Sequence, residues 1–78
     1  MGLPIDNIGY YRLRYPERTK LRITKPIDDP YTPKEVGDIF TVSYIDDAGQ
    51  IHGSWQNGGS IAIIIGVDNF EVYTEEEN

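Results

Sequence analysis

The sequence predicts a small all-β domain, and three observations carry that prediction. The chain has 78 residues, which is enough for one domain. Isoleucine, valine, threonine and the aromatic residues, which favour strands, number 29, against six for alanine, leucine and methionine together. Eight glycines and five prolines supply residues for tight turns. Because there is no cysteine, neither disulfides nor thiolate-bound metal can stabilise the fold, which must depend on apolar burial.

Residues 1–18 are predicted to form an irregular arm ahead of the domain. Ile5 and Ile8 are placed to pack on the domain from a short turn. Tyr10–Tyr15 alternates apolar or aromatic residues with arginine, which fits an accessory strand or a loosely held arm. Pro16 ends this run because proline cannot donate a hydrogen bond to a strand ladder.

The first two strands of the domain are predicted from the alternation of apolar and polar residues. Lys20–Lys25 places every second side chain inward, and Pro26 closes the strand. Asp28–Pro33 is a long loop, since its two prolines fix φ and remove backbone donors. Ile39–Asp46 alternates again and forms the second predicted strand.

Tight turns delimit the next two strands. Asp46–Gly49 predicts a hairpin turn, followed by a strand over Gln50–Gln56. Gly53 in the middle of that strand indicates a β-bulge or a close backbone approach. Asn57–Gly59 is the strongest turn signal in the chain and leads into a strand over Ser60–Ile65.

The last elements complete a predicted barrel over residues 19–73. Gly66–Asn69 suits a short 3-10 turn, and Phe70–Tyr73 is the fifth strand. Five strands, a long first loop, two hairpins and one helical turn predict an SH3-like barrel. Residues 74–78 form an acidic tail that we expect to be disordered. The side chains expected to face the core are Leu21, Ile23, Phe40, Val42, Tyr44, Ile51, Trp55, Ile61, Ile63, Phe70 and Val72.

Charge is divided unevenly along the chain, whose net charge is −6. Arg12–Lys25 holds six of the seven basic residues, whereas eleven carboxylates follow that segment. The simplest interpretation is a solvated strand surface. The basic segment could instead contact phosphate or an acidic protein. A further alternative is that the carboxylates of Asp28, Asp29, Asp46 and Asp47 imitate nucleic-acid phosphates and inhibit a host defence nuclease.

No arrangement of residues predicts catalysis, a metal site or a cofactor. The one histidine, His52, shares a strand face with Ser54 at roughly 7 Å, beyond hydrogen-bond reach, so we expect a solvated surface group. Asp28–Asp29 and Asp46–Asp47 lack the ligand spacing of a calcium loop, and aspartates in turns usually bond to their own backbone. Asn57–Gly59 has no following helix that could direct amides at a phosphate.

Exposed aromatic and apolar residues offer candidate contacts with a partner. By its position in the strand, Trp55 points into the core, whereas Tyr31 in the long loop is free to meet a partner. Tyr10–Tyr15 interleaves aromatic and basic residues, a composition that can stack bases and pair with phosphates. Ala62 and Ile64 need cover, either from the arm or from a second chain.

A set of turn and strand motifs is spread over the stretch from Lys20 to Val72. It comprises Asp28–Thr32, Val36–Asp38, Thr41–Val42, Ile45–Gly49, Ile51–His52, Trp55, Asn57–Ser60 and Asp68–Phe70. In these residues the stretch resembles a family of small domains of unknown function, number 4314, met in phages and mobile elements of Gram-positive bacteria. The amino-terminal arm lies outside this likeness. The resemblance implies an accessory gene product without an assigned activity.

Together, these observations predict a non-enzymatic, cytoplasmic accessory module that binds a bacterial protein, as a monomer or weak homodimer. Contact with nucleic acid through Arg12–Lys25 is the alternative, and no membrane contact is expected. No apolar run approaches the roughly 20 residues that cross a bilayer. The candidate partner-binding residues are Tyr31, Tyr10, Arg12, Arg14, Tyr15, Asp28 and Asp29.

Overall fold

The computed structural model describes residues 7–74, which form one antiparallel sheet and one short helix. The first six residues, including Ile5, and the acidic tail from Glu75 lie outside the described residues. The elements are helix α1 (Ile8–Arg14), β1 (Lys20–Ile23), β2 (Ile39–Ile45), β3 (Gln50–Trp55), β4 (Ile63–Ile64) and β5 (Phe70–Val72). The strand order is β4-β3-β2-β1-β5, so the two edge strands are the last two in the chain. Five antiparallel strands in one sheet confirm the all-β prediction.

The prediction of an irregular arm or an accessory strand is wrong over helix α1. Ile8 is buried, and Tyr11 and Tyr15 pack against the core. Spacings of three and four residues put these side chains on one side of a helix. Strand alternation would have placed Leu13 beside the two tyrosines, but Leu13 is 83% exposed.

The core lies on one face of the sheet. Seven of the eleven side chains predicted to face it are buried, and Ile61 and Phe70 are half-buried against it. Trp55 is among the buried residues, with its ring edge-to-face against Phe40 at 4.8 Å between centroids. Val72 and Tyr44, predicted inward, are instead exposed. The main core cluster is Leu21, Ile23, Phe40, Val42, Ile45, Ile51, Trp55 and Ile63.

A β-bulge explains why Tyr44 faces outward. The pairing of β2 with β3 shifts register between Val42 and Tyr44, which adds one residue to β2. The alternation therefore reverses, Ile45 becomes buried and Tyr44 is 58% exposed. Gly53 lies opposite Val42, and a Cβ at this glycine would lie 2.0 Å from the Thr41 carbonyl oxygen. The close approach predicted at Gly53 is confirmed, although the extra residue belongs to the partner strand.

The connection from β3 to β4 is longer and less regular than predicted. Residues 56–62 form a turn and an irregular segment, so β4 contains only two of the six residues predicted for that strand. The predicted 3-10 turn is a hydrogen-bonded turn in which the Ile64 carbonyl accepts from the backbone N–H groups of Val67 and Asp68. The Asp68 carboxylate accepts from the Ile64 N–H at 2.8 Å, which caps the outer edge of β4.

Closure of the sheet into an SH3-like barrel stays a prediction. Within residues 7–74, β4 pairs only with β3, and β5 pairs only with β1. The two edge strands are therefore not joined by a ladder of hydrogen bonds in this part of the chain.

No helix among the described residues is long and apolar enough to cross a membrane.

Candidate interaction surface

The Tyr31 loop, residues 28–33, has a backbone fixed by its own polar groups. A carboxylate oxygen of Asp29 accepts from the backbone N–H of Tyr31 at 2.9 Å and of Thr32 at 2.8 Å. These two bonds, led by that from Thr32, lower the pKa of Asp29 below its ordinary value. Ile27 and Lys34 close the loop with reciprocal backbone hydrogen bonds of 2.9 and 3.0 Å. The prediction that Asp29 bonds to its own turn is confirmed.

Tyr31 projects from this ordered loop into solvent. Its exposed fraction is 89%, the highest among the large hydrophobic residues of the described chain. Asp28 beside it is also exposed. An aromatic side chain held at the tip of an ordered loop contributes contact area at low entropic cost, which is what binding hot spots need.

A second loop lies against the Tyr31 loop, and a buried lysine joins them. Lys34 is only 3% exposed, and its ammonium donates to Asn57 Oδ1 at 3.0 Å and to the Gly58 carbonyl. The same ammonium lies 4.6 Å from the centroid of the Trp55 ring, a cation–π contact. We call residues 56–60 the glycine loop. No sequence pattern indicates this contact, because a lysine in a proline-rich loop is usually solvated.

Helix α1 and its C-cap residue, Tyr15, carry the other candidate residues, and two of these serve to dock the helix. Arg12 donates to the Ile45 carbonyl through Nε at 3.1 Å and Nη2 at 2.8 Å, and it pairs with Asp47 at 2.9 Å. Tyr15 is half-buried, with its ring edge-to-face against Phe70 at 5.4 Å between centroids. Arg12 and Tyr15 are therefore already engaged within the domain.

The remaining two candidates on helix α1 face solvent. Tyr10 is 57% exposed, with its ring edge-to-face against that of Tyr11. Arg14 is exposed and donates to the hydroxyl of Tyr15 at 3.3 Å. This hydrogen bond is the main reason that the pKa of Arg14 is raised. Of the candidates on the helix, Tyr10 and Arg14 are the two free to meet a partner.

The structure separates the Tyr31 loop from helix α1. Lys34 anchors the loop beside Trp55, where β3 ends, whereas Arg12 anchors the helix beside Ile45, where β2 ends. These are opposite ends of the antiparallel hairpin: Ile45 pairs with Ile51, and Trp55 lies four residues, or about 14 Å, further along β3. The candidate residues thus form two surfaces rather than one.

A histidine–carboxylate pair occupies the same end of the hairpin as helix α1. His52 Nε2 lies 2.8 Å from Asp46 Oδ2, and the His52 ring stacks on Tyr44 at 4.6 Å between centroids. The bond from His52, followed by the backbone N–H of Gln50, lowers the pKa of Asp46. His52 is half-buried and paired, so the expectation of a simply solvated side chain is wrong. The bulge in β2, which turns Tyr44 outward, creates this cluster.

These polar groups stabilise turns and form ion pairs within the domain. Asp46 Oδ1 accepts from the N–H groups of Ala48 and Gln50, at 3.0 and 2.9 Å, which confirms the prediction for this turn. Among residues 7–74, no three histidine or acidic side chains gather as a metal ion would require. Every buried side-chain nitrogen or oxygen in that part of the chain has a hydrogen-bond partner.

Comparison with known families assigns the chain. A family model described as "Domain of unknown function (DUF4314)" matches residues 6–73. The chain belongs to the DUF4314 family. The match includes helix α1, so the expectation that the arm lies outside the family likeness is wrong. No curated protein and no solved structure matches the chain.

Proposed function

We propose that this DUF4314 domain is a non-enzymatic protein-binding module whose main contact is the Tyr31 loop. The observation that carries the proposal is the 89% exposure of Tyr31 on a loop whose backbone is fixed by Asp29. An ordered loop loses little conformational entropy on association, and a tyrosine supplies a large amphipathic contact. Asp28, exposed at the start of the same loop, supplies a charged rim.

The state of the basic residues favours a protein partner over nucleic acid. Arg12 is paired with Asp47, and Arg22 is paired with Glu71 through Nε at 2.8 Å. Two of the six basic residues of the Arg12–Lys25 segment are therefore already neutralised within the chain. The net charge of −6 adds long-range repulsion toward phosphates.

The state of the carboxylates favours the same proposal over mimicry of nucleic-acid phosphates. Asp29 and Asp46 accept backbone N–H groups of their own turns, and Asp47 pairs with Arg12. Their geometry therefore follows from the requirements of the turns. Asp28 is the one member of the four proposed mimics without a hydrogen bond or ion pair among the described residues.

The proposed setting follows from the family resemblance. It is the bacterial cytoplasm, where the domain would be an accessory product of a phage or another mobile element and would bind a bacterial protein. The cap that Asp68 places on the edge of β4 favours a monomer, because a capped edge does not pair with a second chain.

Affinity capture from nuclease-treated bacterial lysate tests the proposal. We expect wild-type domain to retain a protein partner that Tyr31→Ala retains at least tenfold less well, as truncation of a hot-spot residue would cause. Tyr10→Ala is the matched control, since it removes another exposed tyrosine, from helix α1 instead of the Tyr31 loop. Tyr31→Ala should leave the free energy of unfolding within about 0.5 kcal/mol of wild type, because the side chain is solvated.

The outcome also separates the alternatives. Partners lost on nuclease treatment, with capture that falls steeply as salt rises, would assign the basic segment to nucleic acid. Equal capture by wild type and Tyr31→Ala, with loss in Tyr10→Ala, would move the contact to helix α1. Loss of capture in a variant of the four aspartates, with capture by Tyr31→Ala unchanged, would favour mimicry.

A further inference from the structure

We propose that Lys34 is a positioning residue that holds the Tyr31 loop and the glycine loop together as one preformed binding surface. The inference rests on the proposed function of the Tyr31 loop and adds the residue that controls it. Lys34 itself is buried and would touch no partner.

The first argument is the cost of burying this charge. Among residues 7–74, no carboxylate lies within ion-pair distance of the Lys34 ammonium. Within the described part of the chain, the groups that contact the charge are Asn57 Oδ1, the Gly58 carbonyl and the face of Trp55. Burial of a charge without a counter-ion is unfavourable, and an apolar side chain of similar size would be less costly at this position. The presence of a lysine at this buried position is therefore better explained by the need to hold the two loops in a fixed arrangement than by a contribution to stability.

The second argument is that the groups that contact the ammonium belong to the glycine loop and to Trp55, the last residue of β3. Lys34 ends the Tyr31 loop through its backbone bridge to Ile27, and its side chain reaches the glycine loop. Asn57 continues the network, with its Nδ2 donating to Asp38 Oδ1 at 3.3 Å. Asp38 in turn accepts from the Glu35 backbone N–H at 2.8 Å.

The third argument is the fit of Gly59 to this contact. Its φ is +106°, and a Cβ there would lie 3.0 Å from Lys34 Nζ and 3.3 Å from Thr32 Cβ. The two loops therefore approach each other so closely that a Cβ at Gly59 would require Lys34 and Thr32 to shift by a few tenths of an ångström. Removing the ammonium from between them should release the Tyr31 loop while leaving the sheet intact.

Hydrogen–deuterium exchange of the intact chain, with Lys34→Met as the variant, tests the inference. Methionine keeps the buried aliphatic length but removes the charge and both donated hydrogen bonds. We expect amide exchange at Thr32, Lys34 and Gly58 to accelerate at least tenfold, while Leu21 and Ile51 in the core stay protected. Lys25→Met is the matched control, because it removes the same charge from an exposed site. Asn57→Ala removes one acceptor of the ammonium from an exposed residue and should accelerate the same amides even if Lys34→Met fails to fold.

Capture from nuclease-treated lysate supplies the second readout. If a preformed surface matters, Lys34→Met should retain the partner about tenfold less well than Lys25→Met, because the loop must then be ordered on binding. Unchanged exchange in both the Lys34 and Asn57 variants would overturn the inference. Accelerated exchange with unchanged capture would overturn its functional part. If wild type and Tyr31→Ala capture equally, the proposed function fails, while the exchange data alone still decide whether Lys34 joins the loops.

Discussion

At the scale of single residues, Gly53 shows how a missing side chain permits two strands to approach closely. The Thr41 carbonyl oxygen and the Phe40 ring occupy the space where a side chain would be. The approach is possible because Gly53 has no Cβ, and it lies beside the bulge in β2. The sequence predicts the close contact, since a glycine inside an alternating strand is typical of a bulge or of a neighbouring backbone that leaves no room for a side chain.

Gly53→Ala should lower the free energy of unfolding by about 3 kcal/mol, because a Cβ 2.0 Å from a backbone oxygen forces the strands apart. Gly9→Ala is the opposite case. It lies in helix α1 with nothing within 4 Å of the added carbon, and should raise stability by about 0.5–1 kcal/mol. Urea denaturation of both variants measures the difference. Equal effects from the two substitutions would show that the contact at Gly53 is not tight.

The pH dependence of stability is set in part by Asp29 and Asp46. Both carboxylates have folded pKa values below the ordinary 3.8, because they accept hydrogen bonds in the ionised form. A lowered folded pKa stabilises the protein above the unfolded value, and this contribution is lost as pH falls through the folded pKa. We therefore expect the contribution of these two carboxylates to be complete above about pH 5 and to be lost below about pH 4.

The matched variant for this prediction is the double substitution Asp29→Asn, Asp46→Asn. Asparagine retains a side-chain oxygen acceptor but does not titrate. Urea midpoints measured between pH 7 and 3 should decline less steeply in the double variant than in wild type. If the urea midpoints of the two proteins declined in parallel, other groups would govern the loss of stability at low pH.

At the scale of elements, helix α1 depends on its contacts with the sheet. Seven residues form too short a helix to be stable alone. Arg12 joins it to the β2–β3 turn, and Ile8, Tyr11 and Tyr15 bury one side. The alternating pattern from Tyr10 to Tyr15 also fits a strand, so the local sequence favours the wrong element. The spacing of Ile8, Tyr11 and Tyr15 is the available signal for a helix.

Arg12→Ala should cost about 1 kcal/mol of stability, since it removes hydrogen bonds to the Ile45 carbonyl and the ion pair with Asp47 at a half-exposed site. Arg14→Ala, two residues on, removes only an exposed contact to Tyr15 and should be close to neutral. Thermal denaturation distinguishes them. Equal melting temperatures for the two variants would mean that Arg12 does not hold the helix.

The strands show how much of the secondary structure can be predicted from the sequence. Alternation predicts β1, β2 and β3 within a few residues, because each buries one face against the same core, and it also places β5, although only Phe70 of that strand is half-buried. It fails at Tyr44, where an extra residue in the strand reverses the alternation and no local signal marks the insertion. It also fails for Ser60–Ile65, where hydrophobicity indicates a strand but the glycine loop and the Asp68 cap leave only two paired residues.

At the scale of the whole molecule, the sheet separates two surfaces that look continuous in sequence. Lys34 anchors the Tyr31 loop beside Trp55, and Arg12 anchors helix α1 beside Ile45, at the other end of the β2–β3 hairpin. The exposure of Tyr31 could be predicted from its loop. The role of Lys34 could not, because its partners Trp55, Asn57 and Gly58 are more than 20 positions away in the chain. Long-range pairing of this kind depends on the completed fold.

The measurement that tests the central claim most directly is an NMR titration of isotope-labelled domain with the captured protein partner. Our account predicts that amide shifts concentrate in residues 28–34 and 56–60, at the end of the hairpin where Lys34 joins the two loops. Shifts concentrated in helix α1, or in the turn from Asp46 to Gly49, would place the partner at the other end of the molecule. Shifts at either of these two places, in helix α1 or in the turn, would contradict the claim that this domain binds through the Tyr31 loop.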